Sequence, residues 1–223
     1  KKHDLKEFWH FGQEVTDGDP ISKEYEKNIK CDELPDFNMI GRKVYKQLEE
    51  TGKIILKAIA LHLNLEENYF DGKVHNGNSI LRAIHYPPIT KKPEGSVRAA
   101  AHGDINLITL LMGASNSGLQ ILNKKNEWIS VTALPEQIVV NIGDMLARLT
   151  NNKLCSSIHR VINPPKELWG TSRFSIPFFM HPRSEMSLNC LENCITNENP
   201  KSYSDINAGD FLEQRIKELG LKK

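Results

Sequence analysis

The feature that most constrains the fold of this chain is a series of short apolar segments that begins after residue 78. Gly, Pro, Asn and Asp separate these segments, which is typical of short strands joined by turns. Strands at such close spacing predict a sandwich or a barrel rather than alternating β-α units. The eight predicted strands cover residues 80–86, 97–102, 107–112, 119–122, 128–131, 137–141, 156–161 and 173–179.

Helical patterns flank these strands on both sides. A long helix is predicted over residues 35–63, because its apolar residues recur every three or four positions and form one stripe. Gly52 lies inside this stretch and indicates a kink or a break in the helix. A single helical turn is predicted at residues 145–149, and a closing helix is predicted at residues 210–219, just before a glycine.

The whole pattern predicts a mainly β fold with flanking helices. A chain of 223 residues, with 39% hydrophobic and 26% charged residues, is long enough for one domain with a sizeable core. We therefore expect a single domain over residues 1–223. Its three parts are a helical N-terminal part at 1–78, a β-rich core at 79–180 and a C-terminal segment with a helix at 181–223.

The charge balance narrows the classes of partner. The chain has 29 basic and 28 acidic residues and a formal net charge of +1, so a basic face for nucleic acid is not expected. No apolar run in the sequence is long enough to span a bilayer. We therefore expect neither nucleic acid nor a membrane as a partner.

The cysteines and the first residue bear on the cellular location. Cys31, Cys155, Cys190 and Cys194 show neither a C-x-x-C pair nor metal-ligand spacing. We interpret them as reduced thiols of a cytoplasmic protein, with a disulfide between Cys190 and Cys194 as the less favoured alternative. The chain starts at Lys1 and not at Met, which indicates a fragment or a processed form, so a targeting segment is not excluded.

A candidate metal site combines His102, Asp104 and His159. Residues two apart in a strand point to the same side, so His102 and Asp104, with only Gly103 between them, aim an imidazole and a carboxylate at one point. His159 lies on a later predicted strand, which a barrel can bring beside the first. Two histidines and one carboxylate leave other coordination positions open and favour ferrous iron. An isolated H-x-D tripeptide is a weak signal, and only the combination carries the prediction.

A candidate carboxylate site follows on the last predicted strand. Arg173 and Ser175 share one strand face, where a guanidinium can bind a carboxylate through two hydrogen bonds and a hydroxyl can add a third. If the strand is buried, Arg173 needs an anion. Tyr86, on another strand, could donate its phenol to the same carboxylate. The alternatives are an exposed salt bridge for Arg173 and an ordinary core position for Tyr86.

The substrate itself is not readable from the sequence. Arg82 has the strand parity of Tyr86, and Arg98 has that of His102, so either arginine could face the cavity and hold a substrate carboxylate. These two arginines are the only indication of a small acid or an amino-acid-like substrate, and salt bridges at strand ends are at least as favoured. The candidate apolar wall residues are Ile84, Leu110, Ile158 and Phe179.

The same residues carry a resemblance to a known family. The chain resembles the isopenicillin N synthase-like family of ferrous iron and 2-oxoglutarate-dependent dioxygenases, and its pattern is most similar to that of bacterial members. The resemblance covers residues 80–180 and, more loosely, the helical part. The matching stretches are L-R-A-I-H-Y-P-P at 81–88, A-H-G-D at 101–104, G-L-Q at 118–120, V-N-I-G-D at 140–144, H-R-V at 159–161 and R-F-S-I-P-F-F at 173–179.

The resemblance implies a double-stranded β-helix (jelly-roll) core with the long N-terminal helix packed on it. The implied reaction uses dioxygen and 2-oxoglutarate, oxidises a small organic substrate, with hydroxylation as the expected outcome, and releases succinate and CO2. The iron ligands that it implies, which are also the catalytic residues, are His102, Asp104 and His159. The residues that it implies for the far carboxylate of 2-oxoglutarate are Arg173, Ser175 and Tyr86.

Several alternatives stay open. Some family members are oxidases that do not use 2-oxoglutarate, and there the arginine and the serine bind the substrate's own carboxylate. A jelly-roll binding protein without turnover is a second alternative, against which the complete set of metal ligands argues. A zinc hydrolase is a third, although no general base is evident beside the metal. The family's N-terminal stretch, with an N-H-G motif and its first strands, is not found here, and a protein without it would lack part of a barrel wall and a substrate lid.

Overall fold

A computed structural model describes residues 3–220, except residues 17, 24, 133 and 135. The strands are β1 (Glu7–Gly12), β2 (Ile80–Tyr86), β3 (Ala99–His102), β4 (Ile108–Met112), β5 (Leu119–Leu122), β6 (Trp128–Ser130), β7 (Ile138–Ile142), β8 (His159–Val161) and β9 (Arg173–Met180). The helices are α1 (Pro35–His62), α2 (Asp71–Val74), α3 (Asp144–Leu149) and α4 (Ala208–Glu218). Single 3₁₀ turns lie at Pro20–Lys23, Lys166–Leu168 and Glu192–Cys194.

The strands form two antiparallel sheets that pack face to face. The larger sheet has the order β1-β2-β9-β4-β7, and the smaller sheet has the order β3-β8-β5-β6. Side chains of β2 in the larger sheet form a small buried cluster with side chains of β3, β5 and β8 in the smaller one. Most strands that are neighbours in a sheet are not consecutive in the sequence, as in β2 beside β9. This is the expected jelly-roll arrangement, and it brings residues from distant parts of the chain to one interior.

Helix α1 covers the outer face of the larger sheet and builds the main core there. The ring of Tyr45 packs edge-on against that of Phe178, with 5.1 Å between the ring centroids. A Cβ at Gly52 would lie 2.5 Å from Sδ of Met180, so a larger residue here would force the buried Met180 side chain to shift. The helix is continuous from Pro35 to His62, so Gly52 does not break it.

The N-terminal part was expected to be helical, but it also contains strand β1. This strand pairs antiparallel with β2 and extends the edge of the larger sheet, with Phe8 opposite Ile84. Trp9 and Phe11 project to the other face and pack against Phe37 of α1. Both faces of β1 therefore carry aromatic residues, and the alternation of apolar and polar residues that identifies a strand is missing.

Two further observations concern the environment of the chain. The four cysteines are all free. Within the residues that the structure describes, no helix combines the length and the apolar character that crossing a membrane would need.

Candidate metal and carboxylate site

The interior between the two sheets contains a cavity that both sheets line. Its wall is mostly apolar, and a few charged or polar side chains project into it. Every residue expected to bind the metal or 2-oxoglutarate lies on this wall, together with two of the three substrate candidates. These residues are Arg82, Tyr86, His102, Asp104, His159, Arg173, Ser175 and Phe179.

Three of these side chains converge on one point of the cavity. His102 ends β3 and lies opposite His159, the first residue of β8, and Asp104 follows two residues after β3. Nε2 of His102 and Nε2 of His159 each lie 3.8 Å from Oδ1 of Asp104. One ligand atom from each residue lies within 4.8 Å of the others, so one metal ion can be bound by all three side chains.

Backbone carbonyls orient both imidazoles. Nδ1 of His102 lies 2.7 Å from the carbonyl oxygen of Ala100, and Nδ1 of His159 lies 3.0 Å from that of Ser157. Because a carbonyl oxygen only accepts, each Nδ1 carries the proton, and each Nε2 keeps its lone pair for a metal. Burial, and then the neighbouring ring of His159, lower the pKa of His102, which favours the neutral imidazole that a metal requires.

Hydrogen bonds also orient the carboxylate of Asp104, which is only 5% exposed. Thr109 Oγ1 donates to Oδ2 of Asp104 over 2.6 Å, and Asn141 Nδ2 donates to the same oxygen over 2.9 Å. Asn106 Nδ2 donates to Thr109 Oγ1 over 2.8 Å, so the hydroxyl proton of Thr109 is directed to Asp104. Oδ2 is therefore bound within the protein, and Oδ1 faces the two imidazoles.

Arg173 contributes a buried guanidinium to the same cavity. It is 1% exposed, and its Nε donates to the carbonyl oxygens of Asn116 and Ser117 over 3.1 Å and 3.2 Å. Its Nη1 is buried without a hydrogen-bond partner, and no carboxylate of the described part of the chain forms an ion pair with it. Burial lowers the pKa of Arg173, and Tyr86 offsets part of this effect. A buried guanidinium without an acidic partner requires an anion.

Tyr86 and Ser175 lie beside this guanidinium. Tyr86 is opposite Arg173 in the pairing of β2 with β9, and the guanidinium carbon of Arg173 lies 4.9 Å from the Tyr86 ring centroid. Burial raises the pKa of Tyr86 although Arg173 lowers it in part, so the phenol stays protonated and can donate. The unpartnered Nη1 of Arg173, the phenol and the Ser175 hydroxyl together fit the far carboxylate of 2-oxoglutarate.

Arg98 does not line the cavity, although its parity with His102 predicted this. The pairing of β3 with β8 shifts register between Ala99 and His102, so Ala99 shares the inner face with His102. Arg98 is instead buried next to Tyr86, 5.9 Å from its ring centroid, and donates to the carbonyl oxygen of Thr171 over 3.0 Å. The register shift therefore takes Arg98 out of the substrate cavity.

The predicted apolar wall is half right. Ile84 and Phe179 line the cavity, whereas Leu110 lies in the core beneath α1 and Ile158 is not part of the wall. Leu111 lies on the wall in place of Leu110, because successive residues of β4 project to opposite faces.

Sequence reasoning also missed three polar residues of the site. Thr109 was a polar residue within an apolar strand, and Asn141 belonged to the V-N-I-G-D stretch, but neither position indicated that its partner is Asp104. Lys6 lines the cavity just before β1, and it was missed because that strand was not predicted. The two Asp104 partners depend on the pairing of β4 with β7, which only the fold reveals.

Solved structures of known proteins are similar to this chain. Residues 77–182 match the model of the 2OG-Fe(II) oxygenase superfamily. A 2OG-Fe(II) oxygenase family protein from Caulobacter crescentus is 45% identical, with a TM-score of 0.90 over 98% of this chain and 71% of that chain. A full-length protein from Neurospora crassa, in complex with alpha-KG and thymine, is 31% identical, with a TM-score of 0.85 over 98% of this chain and 66% of that chain.

A curated relative has a name that also refers to 2-oxoglutarate and Fe(II). The 2-oxoglutarate-Fe(II) type oxidoreductase hxnY of Emericella nidulans is 31% identical over 96% of this chain and 63% of its own length. The chain spans between 51% and 68% of the length of the curated relatives compared with it. The span that matches the family model contains the three candidate metal ligands and the three candidate carboxylate-binding residues.

Proposed function

The chain belongs to the 2OG-Fe(II) oxygenase superfamily, and on this basis we propose that it is a non-haem Fe(II) and 2-oxoglutarate-dependent dioxygenase. Its partner is a small organic substrate, which it oxidises with release of succinate and CO2. The observation that carries the proposal is the convergence of two Nε2 atoms and Oδ1 of Asp104 in the cavity that also holds the unpartnered Nη1 of Arg173. The family uses Fe(II), 2-oxoglutarate and dioxygen.

His102, Asp104 and His159 hold the metal through Nε2, Oδ1 and Nε2. When bound, ferrous iron with 2-oxoglutarate and dioxygen supplies the oxidation of a substrate C–H bond. The protein provides neutral imidazoles, fixed by the carbonyls of Ala100 and Ser157, and a carboxylate whose other oxygen is already bound. These contacts orient the three donor atoms toward one point before a metal binds.

Arg173, Ser175 and Tyr86 hold the far carboxylate of 2-oxoglutarate. The crystal structure of the Neurospora crassa protein in complex with alpha-KG supports this co-substrate for a relative 32% identical to the chain. The guanidinium neutralises the carboxylate, and the phenol and the hydroxyl can each add a donor. The anion would also stabilise the buried Arg173, which has no acidic partner in the described residues.

The apolar residues of the cavity wall have a different role from the metal ligands. Leu119, Ile121, Val139 and Val161 line the cavity and provide apolar surface beside the metal ligands. This surface can contact the apolar part of a substrate next to the metal. A cytoplasmic location remains part of the proposal, and the free thiols are consistent with a reducing compartment.

The test is the stoichiometry of co-substrate consumption by the Fe(II)-loaded protein. We expect 2-oxoglutarate to be converted to succinate and CO2 in a reaction that stops without dioxygen or with an iron chelator. Consumption of dioxygen with an organic substrate but without loss of 2-oxoglutarate would favour an oxidase of the isopenicillin N synthase type. A protein that binds iron and 2-oxoglutarate but consumes neither co-substrate would favour the binding-protein alternative.

A further inference from the structure

Arg82 places a second guanidinium on the cavity wall, and neither the metal nor the 2-oxoglutarate site uses it. It lies on β2, four residues before Tyr86 on the same strand face, and the register of the β2-β9 pair sets it opposite Pro177. Burial lowers the pKa of Arg82, and Asp104 is near enough to raise it in return. The guanidinium therefore stands in the same cavity as the metal ligands, away from the Arg173 end.

The neighbours of Arg82 hold its side chain in one orientation. Its guanidinium carbon lies 4.6 Å from the ring centroid of Phe8 and 4.9 Å from that of Phe179, so an aromatic ring approaches it from each strand next to β2. Its Nε donates to Nε2 of His10 over 2.7 Å. Burial, and then Arg82 itself, lower the pKa of His10 to about 4, so the imidazole is neutral at physiological pH and can accept this bond.

The two terminal nitrogens of Arg82 remain available. The hydrogen bond of Arg82 to His10 uses only Nε, and the residue lines the cavity, so both terminal nitrogens can bind a ligand there. Across residues 3–220, apart from the four residues not described, no carboxylate forms an ion pair with Arg82. Lys6 lines the same cavity but is neutralised by Asp4, with 2.8 Å between Nζ and Oδ2. Arg82 is thus an oriented cation that forms no ion pair with the described residues, and it can bind an anion.

We infer that Arg82 is the subsite for a carboxylate of the substrate, and that the substrate is a small carboxylic acid with an apolar body. The inference rests on the proposed function, because Arg173 is then reserved for 2-oxoglutarate and Arg82 is the guanidinium of the cavity wall that is left for a second anion. A guanidinium fork binds a carboxylate through two parallel hydrogen bonds, which orients the ligand as well as binding it. Ile84, Leu111, Ile121 and Val139 provide the apolar surface for the rest of the molecule.

The alternative to an acidic substrate is a neutral one, which a similar protein of known structure suggests. The Neurospora crassa protein was crystallised with thymine, whose carbonyl and imide groups are uncharged. A carbonyl oxygen could accept from Arg82, but it would leave the positive charge of a half-buried side chain uncompensated. The absence of an acidic partner among the described residues therefore favours an acid over a neutral heterocycle in this chain.

The experiment measures ligand binding, without turnover, in protein loaded with Zn(II) and saturated with 2-oxoglutarate so that the Arg173 site is filled. The probes are benzoate, phenylacetate and isovalerate, each beside its primary amide, and thymine. Calorimetry gives the affinities, and the Nε–H resonance of Arg82 in a ¹⁵N spectrum reports contact with the guanidinium. The variants are Arg82→Met and Arg82→Lys, with Arg183→Met as the matched control, which removes an arginine paired with Glu185 outside the cavity.

We expect at least one acid to bind about 10-fold or more tightly than its amide and to shift the Arg82 resonance. Arg82→Met should abolish this preference, Arg82→Lys should keep part of it, and Arg183→Met should leave it intact. Equal affinity for acids and amides, tighter binding of thymine than of any acid, or a preference that survives Arg82→Met would overturn the inference. Failure of the unmodified protein to bind 2-oxoglutarate would overturn the proposed function and this inference together, whereas the other outcomes bear on the inference alone.

Discussion

The two faces of strands β4 and β9 make the clearest contrast in this molecule. On the outer face, Phe178 and Met180 are fully buried against α1. On the inner face of the same strands, Thr109, Arg173 and Ser175 line the cavity. Adjacent residues of one strand thus belong to a dry core on one side and to a polar site on the other.

The two faces differ in the interactions that their side chains form within the chain. Side chains of the outer face are surrounded by apolar neighbours, and their burial stabilises the fold. On the inner face, Nη1 of Arg173 has no hydrogen-bond partner in the described residues, and Oδ1 of Asp104 faces two unprotonated nitrogens. We therefore expect outer substitutions to change the free energy of unfolding and inner substitutions to change ligand binding.

The largest effect is expected for Asp104→Asn on the inner face. The amide oxygen can accept the bonds from Thr109 and Asn141, which directs the NH2 group toward the imidazoles, where it cannot bind a metal. Iron affinity should fall by more than the roughly 100-fold that outer ligand partners typically cost, and turnover should be lost. Calorimetric Fe(II) titration and a urea unfolding curve would measure both properties. An unchanged iron affinity would contradict the assigned ligand set.

The outer face should respond in the opposite way. Phe178→Ala removes a fully buried ring from beneath α1, next to Tyr45, and should lower the free energy of unfolding by about 3–5 kcal/mol. Urea unfolding measures this loss, and Fe(II) affinity of the fraction that remains folded should be retained. A loss of metal affinity without a loss of stability would break the division between the two faces.

An effect of intermediate size is expected for His181. This residue follows β9 and is buried, and its Nδ1 has no hydrogen-bond partner among the described residues. Burial is the largest cause that lowers its pKa from 6.5 to about 4. Below pH 6.5 the unfolded chain therefore binds a proton that the folded chain does not, so stability decreases as the pH falls toward 4. From pH 7.5 to pH 5 this loss should be about 2 kcal/mol for the metal-free protein. Urea unfolding at both pH values, with His181→Gln as the comparison, would detect it, and an identical pH dependence in the variant would refute it.

The smallest effect should come from Thr109 on the inner face. Thr109→Val removes one of two hydrogen bonds to Oδ2 of Asp104 while nearly preserving shape. Iron affinity should fall by about 10-fold, and Thr109→Ser, which keeps the hydroxyl, should restore it. Failure of Thr109→Ser to restore the affinity would indicate that packing, and not the hydrogen bond, is responsible.

Much of the fold could be predicted from the sequence because burial on one face leaves a periodic pattern. All eight predicted strands are present, with ends that differ by a few residues, and α1 ends within one residue of its prediction. The first strand was missed because aromatic residues occupy both of its faces, among them Phe8 and Trp9. An edge strand of this kind has no period to detect.

The candidate site could likewise be predicted only in part from the sequence. The residues of the family motifs lie together on the cavity wall, because local spacing sets which side chains of a stretch share a face and the pairing of β3 with β8 brings His159 beside His102. Arg98 was misplaced because parity was counted across a register shift that no local pattern reveals. The roles of Thr109 and Asn141 depend on which strands become neighbours, and that pairing is a property of the whole fold.

The most direct test of the proposed site is 2-oxoglutarate binding to the anaerobic protein, with and without Fe(II). Calorimetry and the iron-to-ligand absorption band would follow binding in the unmodified protein, in Arg173→Ala and in Arg183→Ala, which removes an arginine paired with Glu185 outside the cavity. We expect binding that requires both iron and Arg173 and that is unchanged in the Arg183 variant. Iron binding without any binding of 2-oxoglutarate, or binding that is unaffected by the loss of Arg173, would contradict the assignment of this site.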